Sequence, residues 1–360
     1  MAAKQLVQID RPILIGGCGS SGTTLLRELI NLSPTIFCGP ELSFLNKRQL
    51  YDQPYAQTKD EFKQYLDQGI PTMASLSTAW LPWSATFSHR REFRFLENPE
   101  NYGYSRDELD ELPQLCSSFS ELVDRFFAKT LQQAGKLRWA EKTPTNCYCI
   151  QHFLDLYPQG RYVQVIRDGR DVVPSLVKRG YPAPIAVRRW MYDTACGLRF
   201  RGQPRYTEVH YEALVTQPEQ TLQALYTFLG EEPPAALPAN PAGQGSNIEH
   251  ATWTLQPGQG ISTSALGKWK KADYPQKVNI EELFYANRFS RHSSRFLGLP
   301  ENMNGNDLLS MLGYDPQEEW NTRPLRGRSL VSLQPLLKRF ANERMHRGLP
   351  PGLDYFKISL

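Results

Sequence analysis

The stretch GGCGSSGTTLLRELI, Gly16 to Ile30, decides the fold. From Gly17 it reads G-x-x-x-x-G-T-T, a glycine-rich turn running into a pattern with Leu25, Leu26, Leu29 and Ile30 at helical spacing. Just ahead of it, Ile13-Leu14-Ile15 is the short apolar run of a buried parallel strand. Strand, glycine turn and helix in this order aim backbone N–H groups and the positive end of a helix dipole at one anion. A triphosphate-binding loop carries Lys after its second glycine, reaching the β- and γ-phosphates; here Thr23 stands there. The loop therefore suits a cradle for one phosphate, built from Gly19, Ser20, Ser21, Gly22, Thr23 and Thr24; the same residues also suit a Gly/Ser turn without a ligand. Lacking the Lys, it is poorly equipped to cleave a β–γ bond.

Further strands are expected at Thr35–Cys38, Leu137–Ala140, Tyr162–Ile166 and Thr207–Tyr211. Between and after them, helices are predicted over Ser117–Gln133, up to about Arg179, and over Gln217–Leu229. This alternation predicts an α/β fold, a P-loop-type parallel sheet flanked by helices. Residues 46–115 mix aromatics, Pro and charges without a clean period, and read as an inserted, partly helical cap. Residues 1–315 are expected to form one domain, with a basic C-terminal extension over 316–360. That extension carries eight Lys/Arg against four acids, an excess equal to the chain's whole net charge of +4. So mild a charge does not argue for nucleic acid. No apolar run approaches the ~18 residues of a membrane span. The six scattered cysteines form no CxxC, and the N-terminus lacks the apolar core of a signal peptide. A reduced, cytoplasmic setting and no metal are expected.

A second anion site is written after Tyr162–Ile166, where the chain continues Arg167-Asp-Gly-Arg-Asp. Ser175 and Arg179 lie i,i+4 on the following helix and share a face, on which Arg167 can converge. Two guanidinium groups and a hydroxyl make a phosphate clamp, because Arg offers paired planar donors. The same residues also suit a salt-bridged helix start, with Arg167 and Arg170 pairing Asp168 and Asp171. Two anion sites, neither built for a triphosphate, suggest a nucleotide with phosphates at both ends.

GSSGTTLLRELINLSP together with RYVQVIRDGRDVVPSL resembles the paired signature of sulfotransferases that use 3′-phosphoadenosine 5′-phosphosulfate (PAPS). The resemblance is strongest toward the tyrosylprotein and bacterial branch and spans roughly residues 10–315. It implies that Ser21, Gly22, Thr23 and Thr24 hold the 5′-phosphosulfate, and that Arg167, Ser175 and Arg179 hold the 3′-phosphate. It places Tyr211, in VHYEAL, near the adenine. Ile261 to Pro275, ISTSALGKWKKADYP, resembles the cofactor-closing segment, with Ser264, Lys268 and Trp269 as candidates. Cys38-Gly39-Pro40-Glu41 matches a C-G-E-E stretch whose Glu is the base, which implies Glu41. Glu141-Lys142-Thr143-Pro144 resembles a K-D-P motif with a catalytic Lys, which implies Lys142. The chain departs from the family at Ser20, where Arg or Lys usually precedes S-G-T. Lys142, Lys268 or a cation of the cap is expected to replace it.

The acceptor implied is a hydroxyl on a small molecule, a carrier-bound acyl chain, a glycan or a peptide. Trp80, Trp83, Phe87, Phe93, Phe95 and Tyr102 of the cap suit an apolar acceptor pocket or ordinary packing. Arg90, Arg91 and Arg94 suit an acidic acceptor, and His89 beside them is an alternative base. Two other classes share the loop: a catalytically silent binder of adenosine 3′,5′-bisphosphate (PAP) or PAPS, and a small-molecule kinase.

Overall fold

The strands of the computed structural model are β1 (Ile13–Gly17), β2 (Ile36–Cys38), β3 (Arg138–Lys142), β4 (Arg161–Ile166) and β5 (Tyr206–His210). Among the described residues (11–42, 45, 50–68, 102–179, 181, 183–234, 261–270 and 280–316) they form one sheet, ordered β2-β3-β1-β4-β5. Every pairing is parallel. The helices are α1 (Thr23–Asn31), α2 (Tyr55–Gln68), α3 (Arg106–Glu111), α4 (Phe119–Ala134), α5 (Ile150–Leu156) and α6 (Gly169–Lys178). They continue as α7 (Ala183–Leu198), α8 (Tyr211–Thr216), α9 (Pro218–Leu229), α10 (Ile280–Ala286), α11 (Arg291–Leu297) and α12 (Gly305–Met311).

The strands alternate their side chains between two buried faces, as a parallel sheet covered on both sides requires. Leu14, Trp139, Tyr162 and Tyr206 pack under α2, α4 and α5. Ile13, Ile15, Ala140, Val163 and Val165 pack under α1 and α9. A third cluster joins α6 and α7 to α10, α11 and α12. Helix ends follow local chemistry. The Ser118 hydroxyl accepts from the Glu121 N–H at the start of α4. Pro218 opens α9, and Gly230 closes it in the left-handed region.

One boundary departs from the sequence reading in a way that matters. β3 runs two residues past the expected Ala140, because Glu141 and Lys142 continue the ladder opposite Leu14 and Ile15. Both charged side chains are thus held by a strand rather than by a loop. Of the cap, α2, α3 and Tyr102 pack into the α4–α5 cluster. Trp80, Trp83, Phe87, Phe93, Phe95, His89, Arg90, Arg91 and Arg94 lie outside the described residues, as does the basic stretch beyond residue 316.

Candidate active site

The chain crosses the sheet in opposite directions from β1, and ligands of such sheets sit outside the carboxyl ends of the strands at that reversal. Five of the sequence-predicted groups stand at those ends. The glycine loop follows β1, Glu41 follows β2, Lys142 ends β3, Arg167 follows β4 and Tyr211 follows β5.

The loop turns tightly, with the Ser21 N–H donating to Cys18 O at 3.1 Å. Gly22 caps α1 at φ 94°, and a Cβ there would meet the Tyr211 ring, so only glycine fits. Ser21 is fully buried and its hydroxyl finds no hydrogen-bond partner among the described residues. A buried, unpaired donor beside a helix N-terminus fits an anion.

Ser20 is where the loop meets the clamp. It adopts φ 71°, a left-handed conformation uncommon for a residue with a side chain. Its Oγ receives Arg179 Nη1 at 3.0 Å and Ser175 Oγ at 3.1 Å, and its carbonyl receives Arg167 Nη1 at 2.9 Å. All three predicted clamp residues therefore converge on one loop residue. Arg167 is buried, with its Nε unpartnered among the described residues. Its guanidinium lies over the Tyr211 ring, 4.2 Å from the centroid. Burial pushes the Tyr211 hydroxyl pKa up, against the lowering pull of Arg167.

The salt-bridged helix start coexists with the clamp. Arg170 pairs with Asp168 at 2.8 Å, and Arg167 lies 3.6 Å from Asp171. Asp171 also accepts from Gly267 N–H at 2.8 Å and Trp269 N–H at 3.3 Å. Arg170 stacks on the buried Trp269 ring at 3.9 Å. Residues 261–270 are docked by these contacts, and Arg167 Nη2 donates to Ala265 O at 2.5 Å. Trp269 is thus an anchor of the segment. Ser264 and Lys268 are exposed upon it, Ser264 hydrogen-bonding Ser262 at 2.9 Å.

At the other end, Lys142 Nζ donates to Glu41 Oε1 at 2.6 Å and to Thr24 Oγ1 at 3.4 Å. Lys142 is 1 % exposed, and burial pushes its pKa below the usual lysine range. The Glu41 carboxylate pulls it back up, while the Arg27 guanidinium adds to the depression. The Glu41 side chain keeps 20 % of its surface, so the carboxylate is the accessible member of the pair. Behind them Glu141 is buried and its pKa is raised by desolvation, against the lowering effect of hydrogen bonds from Thr143, Asn146 and Leu42. An accessible carboxylate, a buried ammonium and a helix-start hydroxyl at the rim of an anion cradle suit proton removal beside charge stabilisation.

Residues 12–234 match the model of the sulfotransferase family, and the chain belongs to that family. It is 25 % identical over 283 residues to protein-tyrosine sulfotransferase 2 of Gallus gallus, covering 71 % of this chain and 62 % of the relative. It is 24 % identical over 257 residues to the omega-hydroxy-beta-dihydromenaquinone-9 sulfotransferase Stf3 of Mycobacterium tuberculosis, covering 63 % of this chain and 64 % of the relative. In both cases it spans less than two thirds of the relative's length. The fold matches the sulfotransferase domain from the curacin biosynthetic pathway at a TM-score of 0.51 and 19 % identity, covering 81 % of this chain and 98 % of that one.

Sequence reasoning missed the contacts that hold these residues in place, although Glu141, Tyr102 and Asp171 were singled out for other reasons. Glu141, Asn146, Tyr102 and Asp171 act through backbone atoms far along the chain, and a strand buried on both faces marks none of its charges as special. The one available signal was a Glu-Lys pair inside a strand of the core, where unpaired charge is costly. Among the described residues no cluster suits a metal, and no helix is long and apolar enough to cross a membrane.

Proposed function

We propose that the chain transfers the sulfuryl group of PAPS to a hydroxyl acceptor, with Glu41 as the base and Lys142 as the cation beside the reacting group. The observation that carries this reading is the meeting of loop and clamp at Ser20. One anion cradle and one guanidinium clamp joined through a single residue suit a nucleotide with anions at its 5′ and 3′ ends. The orphaned Ser21 hydroxyl and Arg167 Nε supply donors for such anions.

In the transfer, an acceptor oxygen attacks sulfur, a new S–O bond forms and the bond from sulfur to the 5′-phosphate oxygen breaks. PAP leaves with that electron pair. The acceptor proton passes to Glu41. Lys142 stabilises the charge that develops as the bridging bond opens, the work that a cation at position 20 would share elsewhere in the family. The acceptor is a hydroxyl in the relatives named for protein tyrosine and for a hydroxylated menaquinone, and the same class is proposed here. Glu41, as the accessible member of its ion pair, is the point at which that hydroxyl is received.

Calorimetric titration with PAP, adenosine 5′-phosphate and ATP tests the nucleotide reading. PAP should bind at least about tenfold more tightly than adenosine 5′-phosphate, because each charge-assisted contact to a phosphate contributes on the order of 1–3 kcal/mol. ATP binding as tight as PAP would overturn the reading in favour of a kinase. PAP binding with no turnover of PAPS on any acceptor would leave a silent binder.

A further inference from the structure

Glu141 is a buried carboxylate that no step of the transfer consumes, and it neighbours Lys142 on β3. Its Oε1 accepts from the Leu42 N–H at 3.1 Å and from the Thr143 hydroxyl at 2.6 Å. Its Oε2 accepts from Asn146 Nδ2, which also donates to Ile15 O at 3.0 Å. The turn it reaches has no ladder of its own. β2 ends at Cys38, so the buried Leu42 N–H lacks a strand partner and needs an acceptor from elsewhere.

The same turn is held from its other side. The Tyr102 hydroxyl donates to Pro40 O, and Gly39 lies against the Tyr102 ring, too close for a Cβ. Glu41 therefore stands between two anchored peptide groups. Consecutive residues of a strand point to opposite faces. On β3 this lets Glu141 grip the backbone at residue 42 while Lys142 meets the carboxylate at residue 41.

We propose that Glu141 is a positioning residue that fixes the Leu42 N–H, and through it holds the Glu41 carboxylate against Lys142. The proposal rests on the reading of Glu41 as the base. Its requirement is for an oxygen acceptor at Leu42, so Gln should serve where Ala should not.

The test compares Glu141→Ala and Glu141→Gln with wild type, measuring PAP release from PAPS with p-nitrophenol as acceptor and PAP affinity by calorimetry. Misplacing a reacting group by about 1 Å costs on the order of 10²-fold. Glu141→Ala should therefore lose at least about tenfold in kcat, with PAP affinity within about twofold, and Glu141→Gln should stay within about threefold of wild type. Ala at the wild-type rate, or Ala and Gln equally impaired, would overturn the proposal. If Ala no longer binds PAP, Glu141→Asp decides, since its shortened carboxylate cannot keep all three bonds; an undiminished rate overturns the proposal and a tenfold loss supports it. Where wild type binds PAP but does not use p-nitrophenol, the inference is decided without turnover. Crystal structures of wild type and Glu141→Ala then decide: a lost Glu41–Lys142 contact supports positioning, and a retained one overturns it.

Discussion

At the scale of single residues, the site divides its charges by burial. Lys142 is enclosed and Glu41 reaches the surface, although the two touch at 2.6 Å. In the proposed transfer the accessible carboxylate meets the acceptor proton, and the enclosed ammonium acts where water does not screen it. Glu41→Gln should lower kcat by on the order of 10²–10⁴-fold, the usual contribution of a positioned general base. PAP affinity should stay within a few-fold, because the contacts that converge on Ser20 come from Arg167, Ser175 and Arg179. Parallel rate and titration measurements check this; a comparable loss of affinity would make Glu41 a structural residue. Ser20 shows the same economy in another form. Its hydroxyl is turned toward Arg179 and Ser175. A cation introduced at that position would face the Arg179 guanidinium.

At the scale of elements, the decisive junction lies between the glycine loop and α1. Gly22 must adopt φ 94° and must leave room for the Tyr211 ring, which also carries Arg167. Gly22→Ala imposes a left-handed cost of roughly 1–2 kcal/mol before any clash is counted. It should also displace Tyr211, and with it the guanidinium over that ring. The expected result is a drop in PAP affinity of about tenfold or more, since 1.4 kcal/mol already equals a factor of ten. Calorimetry of the folded variant checks this, and unchanged affinity would mean that loop and clamp are independent.

At the scale of the whole molecule, stability should depend on pH through Asp124, a half-buried carboxyl of α4 that accepts from the Tyr157 hydroxyl at 3.1 Å. Burial raises its pKa from 3.8 to about 6. Between those values the folded chain keeps a proton that the unfolded chain releases. Stability from this group therefore grows as pH falls from about 6 toward 3.8, and is lost as pH rises through about 6. The ionised form costs about 1–3 kcal/mol after allowance for solvent screening. Asp124→Asn should therefore gain that much over wild type at pH 8 and show a smaller advantage near pH 4.5. Urea unfolding at the two pH values measures the difference, and an advantage independent of pH would remove Asp124 as its source.

The whole molecule also shows where the sequence could be read and where it could not. The five strands, the loop over Gly19–Thr24 and the convergence of Arg167, Ser175 and Arg179 were legible, because each follows from residues close along the chain. Periodicity, glycine conformation and the i,i+4 spacing of a helix are local properties, and they determined the strands, the helices and which residues form the loop and the arginine cluster. The pairing of Lys142 with Glu41 across 101 positions, and of Arg179 with Ser20 across 159, was settled by tertiary structure. So was the capture of Leu42 N–H by Glu141, 99 positions away. Such pairings depend on sheet order and on which backbone groups are left without a ladder. Neither is written in any local pattern, because both arise only when distant strands are laid side by side.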